Sequence, residues 1–299
     1  MLFFCHSPVN DVSTSPFKQV DVFTAEPFRG NPVAVIIDAS ALSAEQMQQI
    51  AHWTNLSETA FLLPPTQPGA SYRVRIFTPR QELPFAGHPS VGAAHAVLEA
   101  GLARAVNGIM VQECGAGLLP LRVSEEADGR WISILAPPAR TRSVPDSANQ
   151  ALCRLLQQPR PGLVPQIIDI GPHWWVLPLP DTTAVRALQP DMAALAALTL
   201  DHGAVGVAVY AKGAVPEADV VIRCFCPADG IPEDPVTGSG NAAVAAFLRD
   251  HGQLPAASYV ASQGRELGRD GIVRMQVDAS GIHLGGQAVT VVEGSIRLD

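Results

Sequence analysis

The sequence predicts an α/β protein with mixed (α+β) sheets, built as two halves of like construction. Three observations carry this. The chain has 299 residues, 47% of them hydrophobic, which suits two domains with a sizeable buried core. One order of elements occurs twice, about half a chain apart. Many short β-patterned segments are interspersed with a few helical ones, which fits mixed sheets better than a sandwich or a bundle.

In the first copy of the repeat, Tyr72–Phe77 alternates and carries β-formers, as a strand does, and Thr78-Pro79 ends it. A polar stretch leads to Gly87-His88-Pro89-Ser90, after which residues 91–100 form an Ala-rich helix stopped by Gly101. In the second copy, residues 220–225 form a strand ended by Cys226-Pro227. A loop rich in Gly, Pro and Asp leads to Thr237-Gly238-Ser239-Gly240, and residues 241–251 form an Ala-rich helix stopped by Gly252. The strand ends read Arg75-Ile-Phe-Thr-Pro79 and Arg223-Cys-Phe-Cys-Pro227, 148 residues apart. That spacing points to two like halves, not a solenoid of short repeats. Ser90 and Ser239 hold comparable places in this reading. Each turn opens a helix, so each presents free backbone N–H groups at the positive end of a helix dipole, a ready anion site. Two such ends facing each other suit one carboxylate or two carbonyl-like groups. Neither turn fits a Walker loop or the full GxGxxG fingerprint.

The remaining elements follow in order. Residues 19–23 alternate as a strand and 32–37 form a buried apolar strand, with Phe28-Arg-Gly-Asn-Pro32 as the turn between them. Ser43 begins a helix, with Gln46 in the capping-box position, running to about residue 53. Thr59–Leu63 is another strand. Further strands fit 108–112, 119–123, 131–135, 166–170, 174–179, 206–210, 272–277 and 288–292, and helices fit 149–156 and 192–198. Residues 1–16 are expected to be a flexible leader. Residues 136–147, rich in Pro, Arg and Ser, are the best linker.

Composition narrows the function classes. The net charge is −8 and Lys18 and Lys212 are the lysines, so there is no basic stripe and no nucleic-acid partner is expected. No apolar run approaches the roughly 20 residues that span a bilayer, so no membrane partner is expected either. The apolar start Met1-Leu-Phe-Phe-Cys5 lacks the basic region and length of a signal peptide, although residues 2–5 faintly resemble a lipidation site. A cytoplasmic protein is expected. Cys5, Cys114, Cys153, Cys224 and Cys226 are odd in number and scattered, which argues against a disulfide framework. At a strand's period of two, Cys224 and Cys226 share a face. Without a second pair or a nearby histidine, buried packing is favoured there over zinc. No motif for a metal, flavin or nicotinamide cofactor appears.

Several polar residues lie where chemistry is feasible, and each has a plain structural alternative. Glu58, between a helix and an apolar strand, suits a partly desolvated general acid/base with its pKa raised toward neutrality, or a solvated capping residue. His88 lies at a helix's positive end and is expected to be neutral, serving a substrate or bonding the backbone. Asp234 precedes the second turn and either handles substrate or caps the helix. Ser239 caps that helix or donates to a substrate oxygen, and Ser90 has the same two readings. Thr237-Gly-Ser-Gly-Asn lacks the first glycine of a nucleophile elbow, which disfavours a hydrolase built on Ser239, His88 and Asp234.

Several of these segments match a known pattern: Gln19-Val-Asp-Val-Phe-Thr, Phe28-Arg-Gly-Asn-Pro, Asn55-Leu-Ser-Glu-Thr-Ala-Phe, Phe77-Thr-Pro, Gly87-His-Pro, Glu233-Asp-Pro-Val-Thr-Gly-Ser and Gly285-Gly-Gln-Ala-Val. In this order and spacing they resemble the PhzF-like (phenazine biosynthesis-like) family of isomerases and epimerases, from about Phe17 to Leu298. The resemblance implies a diaminopimelate-epimerase-like fold: two pseudo-symmetric halves, each a curved sheet wrapped around a central helix, with the site in the cleft between. It implies that the last strand returns to the first half, so that residues 17–135 with 288–299 form one domain and 136–287 the other. It also implies a homodimer. Residue by residue, Glu58 resembles the acid/base carboxylate, and His88, Asp234 and Ser239 its partners in orienting substrate and handling protons. Asn31, Ser57, Gly87, Ser90, Gly238 and Gly240 resemble substrate contacts. Proline racemase and diaminopimelate epimerase use two cysteines at the two helix starts. This chain has His88, Ser90 and Ser239 in those turns, and a hydroxyl is far too weak an acid to replace a thiol there. The chain also departs from the family at Ser90, where Thr is frequent, and at Gly240-Asn241, where a histidine is frequent. The expected function is cofactor-independent isomerisation or epimerisation by proton transfer on a small carboxylate-bearing metabolite. The alternative is a catalytically silent small-molecule binder or interaction protein on the same fold.

Overall fold

The structure is a computed structural model that describes residues 14–215 and 218–298. The chain opens with β1 (Thr14–Val22), β2 (Asn31–Ile36), α1 (Ala44–Thr54), β3 (Thr59–Leu63), β4 (Tyr72–Phe77), β5 (Glu82–Leu83), α2 (Gly87–Glu99), β6 (Ile109–Cys114), β7 (Gly117–Glu126) and β8 (Gly129–Leu135). It continues with β9 (Arg140–Arg142), α3 (Asp146–Leu155), β10 (Gln166–Asp169), β11 (His173–Pro178), α4 (Thr182–Ala187), α5 (Met192–Asp201), β12 (Gly206–Val215) and β13 (Ala218–Cys226). The last elements are β14 (Ile231–Asp234), α6 (Gly238–Asp250), β15 (Ser258–Gln263), β16 (Gly271–Asp278), β17 (Gly281–Gly286) and β18 (Ala288–Arg297).

The pairing repeats itself. In the first half β2 and β3 are parallel, β3 and β4 antiparallel, β4 and β6 parallel, with β5 folded back on β4. In the second, β11 and β12 are parallel, β12 and β13 antiparallel, β13 and β15 parallel, with β14 folded back on β13. The antiparallel pair β8–β17 joins the halves, and β18 pairs with β1. Side-chain clamps are duplicated too. Arg75 forks onto Glu82 through Nε and Nη2, both at 2.7 Å, and lies 5.2 Å from the Phe77 ring centroid. Arg223 forks onto Glu233, both at 2.8 Å, and lies 4.8 Å from the Phe225 ring centroid. Each clamp ties the returning short strand to its parent.

The two Ala-rich helices lie inside their sheets. Helix α2 packs on β1, β2, β3, β4, β6, β8 and β18, and α6 on β10, β11, β12, β16 and β17. A helix enclosed this way is apolar all round, and small residues let the strands approach. A Cβ on Gly92 would stand 2.4 Å from Val33 Cγ1, and one on Gly240 would stand 2.4 Å from Cys224 Sγ. The outer sheet faces are covered by α1 over Ile36, Phe61 and Phe77, and by α3, α4 and α5 over Trp175, Val207, Val209 and Phe225.

The expectations differ from this in a few places. Residues 14–16, expected in the leader, begin β1 and pair with Arg297, Ile296 and Ser295; Ser15 is buried there and donates to the Asp38 carbonyl. Residues 1–13 lie outside the described residues. The capping box of Ser43 and Gln46 is present. Helices α2 and α6 begin at Gly87 and Gly238, inside what was expected to be turn. Pro89 falls in the first turn, where its missing N–H would have had no helical partner. The expected linker contains β9, which pairs with β10. Strands β5, β14, β15 and β17 and helix α4 carry too little periodicity to be read in advance. No helix among the described residues is long and apolar enough to cross a membrane.

Candidate active site

Helix α1 ends at Asn55, whose φ of 54° is left-handed, a conformation asparagine tolerates. The chain turns through Leu56 and Ser57 and presents Glu58 just ahead of β3. Thr54 Oγ1 and Thr59 Oγ1, 3.0 Å apart, close this turn. The Glu58 side chain is 17% exposed and its Oε2 lacks a well-formed hydrogen bond. Burial pushes this carboxyl up to about 7. The Ser57 hydroxyl opposes that shift more weakly and is itself without a well-aligned partner.

His88 is the second residue of α2. Its Nδ1 lies 3.5 Å from Glu58 Oε2, and its Nε2 is buried without a hydrogen-bond partner. Burial pushes the imidazole down to about 4, against the opposing pull of Asp234, the Pro32 carbonyl and Asp21. The ring is therefore neutral at pH 7, as expected, with burial as the leading cause.

The two helix starts abut. A Cβ on Gly87 would stand 4.0 Å from Gly238 Cα, and one on Gly238 would stand 3.6 Å from the His88 amide nitrogen. Neither helix has a side-chain cap, with Ala86 and Thr237 at the cap positions. Uncapped first-turn amides of both helices are thus concentrated beside Glu58 and His88.

Asp234 is buried opposite. Its Oδ1 accepts from Asn31 Nδ2 at 3.0 Å and its Oδ2 from Thr237 Oγ1 at 2.6 Å. Asn31 Nδ2 also donates to the Val236 carbonyl at 2.9 Å, so this one amide links β2 to the approach of α6. Burial raises the Asp234 pKa, with the Glu58 charge adding to it, while the hydrogen bonds from Thr237 and Asn31 oppose the shift. Gln263 braces the same turn: its Nε2 donates to the Asp234 carbonyl, and its Oε1 accepts from the Thr237 amide and from Asn241 Nδ2. Ser239 Oγ accepts from Trp174 Nε1 at 2.9 Å.

The structure thus brings together Glu58, Ser57, His88, Asn31, Asp234, Ser239, Gly87 and Gly238, with Gly240 in the same first turn of α6, and leaves out one expected contact. Ser90 is fully buried. Its hydroxyl donates to the Ala86 carbonyl and accepts from Gln112 Nε2, whose Oε1 in turn accepts from Tyr72. Gly240 turns its missing side chain to Cys224. The comparison of Ser90 with Ser239 also needs correcting. Asn241 Nδ2 donates to the carbonyl at its helix cap and bonds Gln263, just as Ser90 bonds its own cap carbonyl and Gln112. Ser90 therefore corresponds to Asn241, and the counterpart of Ser239 is His88. Sequence reasoning missed Asp21, Thr237, Asn241, Gln263, Trp174 and Cys226. Asp21 is buried on β1 and accepts from the Gly30 amide at 3.1 Å, fixing the loop that delivers Asn31. Cys226 lies within the electrostatic reach of Glu58 and Asp234, with burial raising its thiol pKa. Among the described residues no group of three or more His, Cys, Asp or Glu is arranged to hold a metal ion.

Fold and site together define a duplicated, helix-centred α/β scaffold of the diaminopimelate-epimerase type with a buried carboxyl–imidazole pair, the class of an isomerase. The chain belongs to the family described as phenazine biosynthesis-like protein, which matches residues 20–294. It is 40% identical to Antisense-enhancing sequence 1 of Schizosaccharomyces pombe, over 93% of this chain and 97% of that one. It is 35% identical to the trans-2,3-dihydro-3-hydroxyanthranilate isomerase of Pseudomonas aeruginosa, over 92% and 93%. Among solved structures, a PhzF-family phenazine biosynthesis protein of Bacillus anthracis superposes with a TM-score of 0.83 at 24% identity, covering 95% and 99%. The fold extends to a hydroxyproline epimerase of Agrobacterium vitis, at a TM-score of 0.63 and 14% identity over 96% and 93%.

Proposed function

We propose that this isomerase moves a proton between carbon positions of a small carboxylate-bearing metabolite, without a cofactor, in the cleft between its halves. One observation carries the reading: the Glu58 carboxyl, titrating near neutrality, stands 3.5 Å from the neutral His88 ring and beside two uncapped helix ends. As carboxylate, Glu58 takes a proton from carbon; as acid, it returns the proton at a second position. The negative charge that spreads over the substrate during transfer is met by the first-turn amides of α2 and α6. His88 and Ser239 hydrogen-bond substrate oxygens, and Asp234, held by Asn31 and Thr237, orients the substrate's polar groups. On this reading the units are residues 17–135 with 288–299 and residues 136–287, and the protein is a cytoplasmic homodimer.

The Pseudomonas relative is named for trans-2,3-dihydro-3-hydroxyanthranilate, which makes that compound the first to assay. Incubation in D₂O, followed by NMR, is expected to show deuterium entering at carbon. Glu58→Gln is expected to abolish that exchange while leaving ligand binding largely intact. Exchange at the wild-type rate in Glu58→Gln removes Glu58 as the base, and binding without exchange in the wild type favours a silent binder.

A further inference from the structure

The two halves treat one equivalent position in opposite ways. Thr59 is paired with Phe77, and Val207 with Phe225. Phe77 and Phe225 are the corresponding residues of the repeated strand ends, so position 58 corresponds to position 206. The first half has Glu58 there and the second has Gly206. A side chain at 206 has no room: its Cβ would stand 2.2 Å from the Phe225 carbonyl oxygen and 2.9 Å from Trp174 Cζ3. Trp174 is paired directly with Gly206 across the parallel strands β11 and β12, and its indole lies in the space a longer residue at 206 would claim. The mirrored pairs are then Glu58 with His88, at 3.5 Å, and Trp174 with Ser239, at 2.9 Å.

We propose that Trp174 is a positioning residue that occupies the second half's equivalent of the Glu58 place and fixes Ser239 as a hydrogen-bond donor toward the substrate. The chemistry of the pair gives the direction. An indole N–H can only donate, and a serine hydroxyl has one proton to give. With a lone pair of Ser239 taken by Trp174 Nε1, the hydroxyl proton is directed away from the indole. Trp174 is 3% exposed, so the bond is shielded from water. Ser239 is partly exposed and lies on the first turn of α6, beside the abutting helix ends. The half that lacks a proton-transfer group thus supplies a preset donor where the first half supplies an acid/base. This inference rests on the proposed reaction at the same site.

Two measurements test it. The first needs no substrate: ¹H–¹⁵N spectra of the indoles. The Trp174 Nε1–H resonance is expected to be protected from solvent exchange and to move in Ser239→Ala, and to stay in place in Ser90→Ala. Rapid exchange, or no movement in Ser239→Ala, overturns the hydrogen bond. The second is a double-mutant cycle on the D₂O exchange rate with trans-2,3-dihydro-3-hydroxyanthranilate. Trp174→Phe keeps the ring and removes the donor. It is expected to lower kcat about fivefold with little change in KM, the effect of losing about one ordinary hydrogen bond in the transition state. In a Ser239→Ala background it is expected to add nothing. Additive losses overturn the proposal by showing that Trp174 does not act through Ser239. Trp175→Phe is the control, because Trp175 donates to Asn149 on the opposite sheet face, and it is expected to leave kcat unchanged. Loss of the proposed reaction would be seen separately, as wild-type protein without exchange, and the indole spectra would still decide the Trp174 bond.

Discussion

Removing the Glu58 charge gives the sharpest test of its environment, and it needs no substrate. The folded protein holds this carboxyl at about 7, against 4.5 for an unperturbed glutamate. Between those values the folded state keeps a proton that the unfolded chain has lost, so the contribution of Glu58 to stability falls as pH rises from 4.5 to about 7 and is flat above. The difference corresponds to about 3 kcal/mol of destabilisation at pH 8 relative to pH 4. His88 has the opposite slope: with its pKa lowered from 6.5 to about 4, stability is lost as pH falls through that window. The two slopes oppose each other between about 4.5 and 6.5. Glu58→Gln removes only the first. It is expected to be more stable than wild type at pH 8 by up to about 3 kcal/mol, roughly 5 °C or more in Tm. The gap should close toward pH 4.5, and the variant should show the uncovered His88 slope below pH 6.5. Urea unfolding followed by circular dichroism across pH 4–8 measures both. A gap that does not change with pH would refute the view that a buried, ionisable Glu58 sets it.

Three other outcomes are expected. If Glu58 must begin as carboxylate, kcat/KM rises with pH through about 7 and has no second limb from His88 above pH 5, because that ring is already neutral; a rate independent of pH between 5 and 8 contradicts this. Asn31→Ala leaves the buried Asp234 Oδ1 without its donor, which is expected to cost about 2 kcal/mol in urea unfolding and to raise the Asp234 pKa further. Ser90→Ala is expected to cost about 1 kcal/mol of stability by breaking the Ala86–Ser90–Gln112 chain while leaving kcat within about twofold.

Much of the fold was legible because it rests on local signals. Alternation in Tyr72–Phe77, the capping box at Ser43 and the Ala-rich runs after each glycine turn are properties of neighbouring residues. The helix–strand junction at Glu58 was legible for the same reason, but local signals left a capping residue as open as an acid/base, and the family resemblance singled it out. What escaped depends on register. Gln112 and Gln263 are ordinary polar residues in strands until β4–β6 and β13–β15 pairing brings each under a helix start. Matching turns by residue type paired Ser90 with Ser239, because both are serines. The hydrogen bonds pair Ser90 with Asn241, because both satisfy the carbonyl at their helix cap. Trp174 carries no motif at all; strand pairing with Gly206 and the small size of that glycine put its indole on Ser239.

Glu58 and Asp234 bear on why this duplicated scaffold is unsymmetrical. A second acid at position 206, the counterpart of Glu58, would add a like charge to the site and raise the pKa of whichever carboxyl ionised second. Gly206 excludes that by sterics. Asp234 is bonded directly by Asn31 and Thr237, which oppose the upward pull of burial on its carboxyl. Glu58 has no comparable donors and moves to neutrality. The clamps that build the halves, Arg75 on Glu82 and Arg223 on Glu233, could stay alike because they act on the strands. Positions 58 and 206, and 88 and 239, differ, and on the proposed mechanism this leaves a single proton-transfer group between two equivalent helix ends.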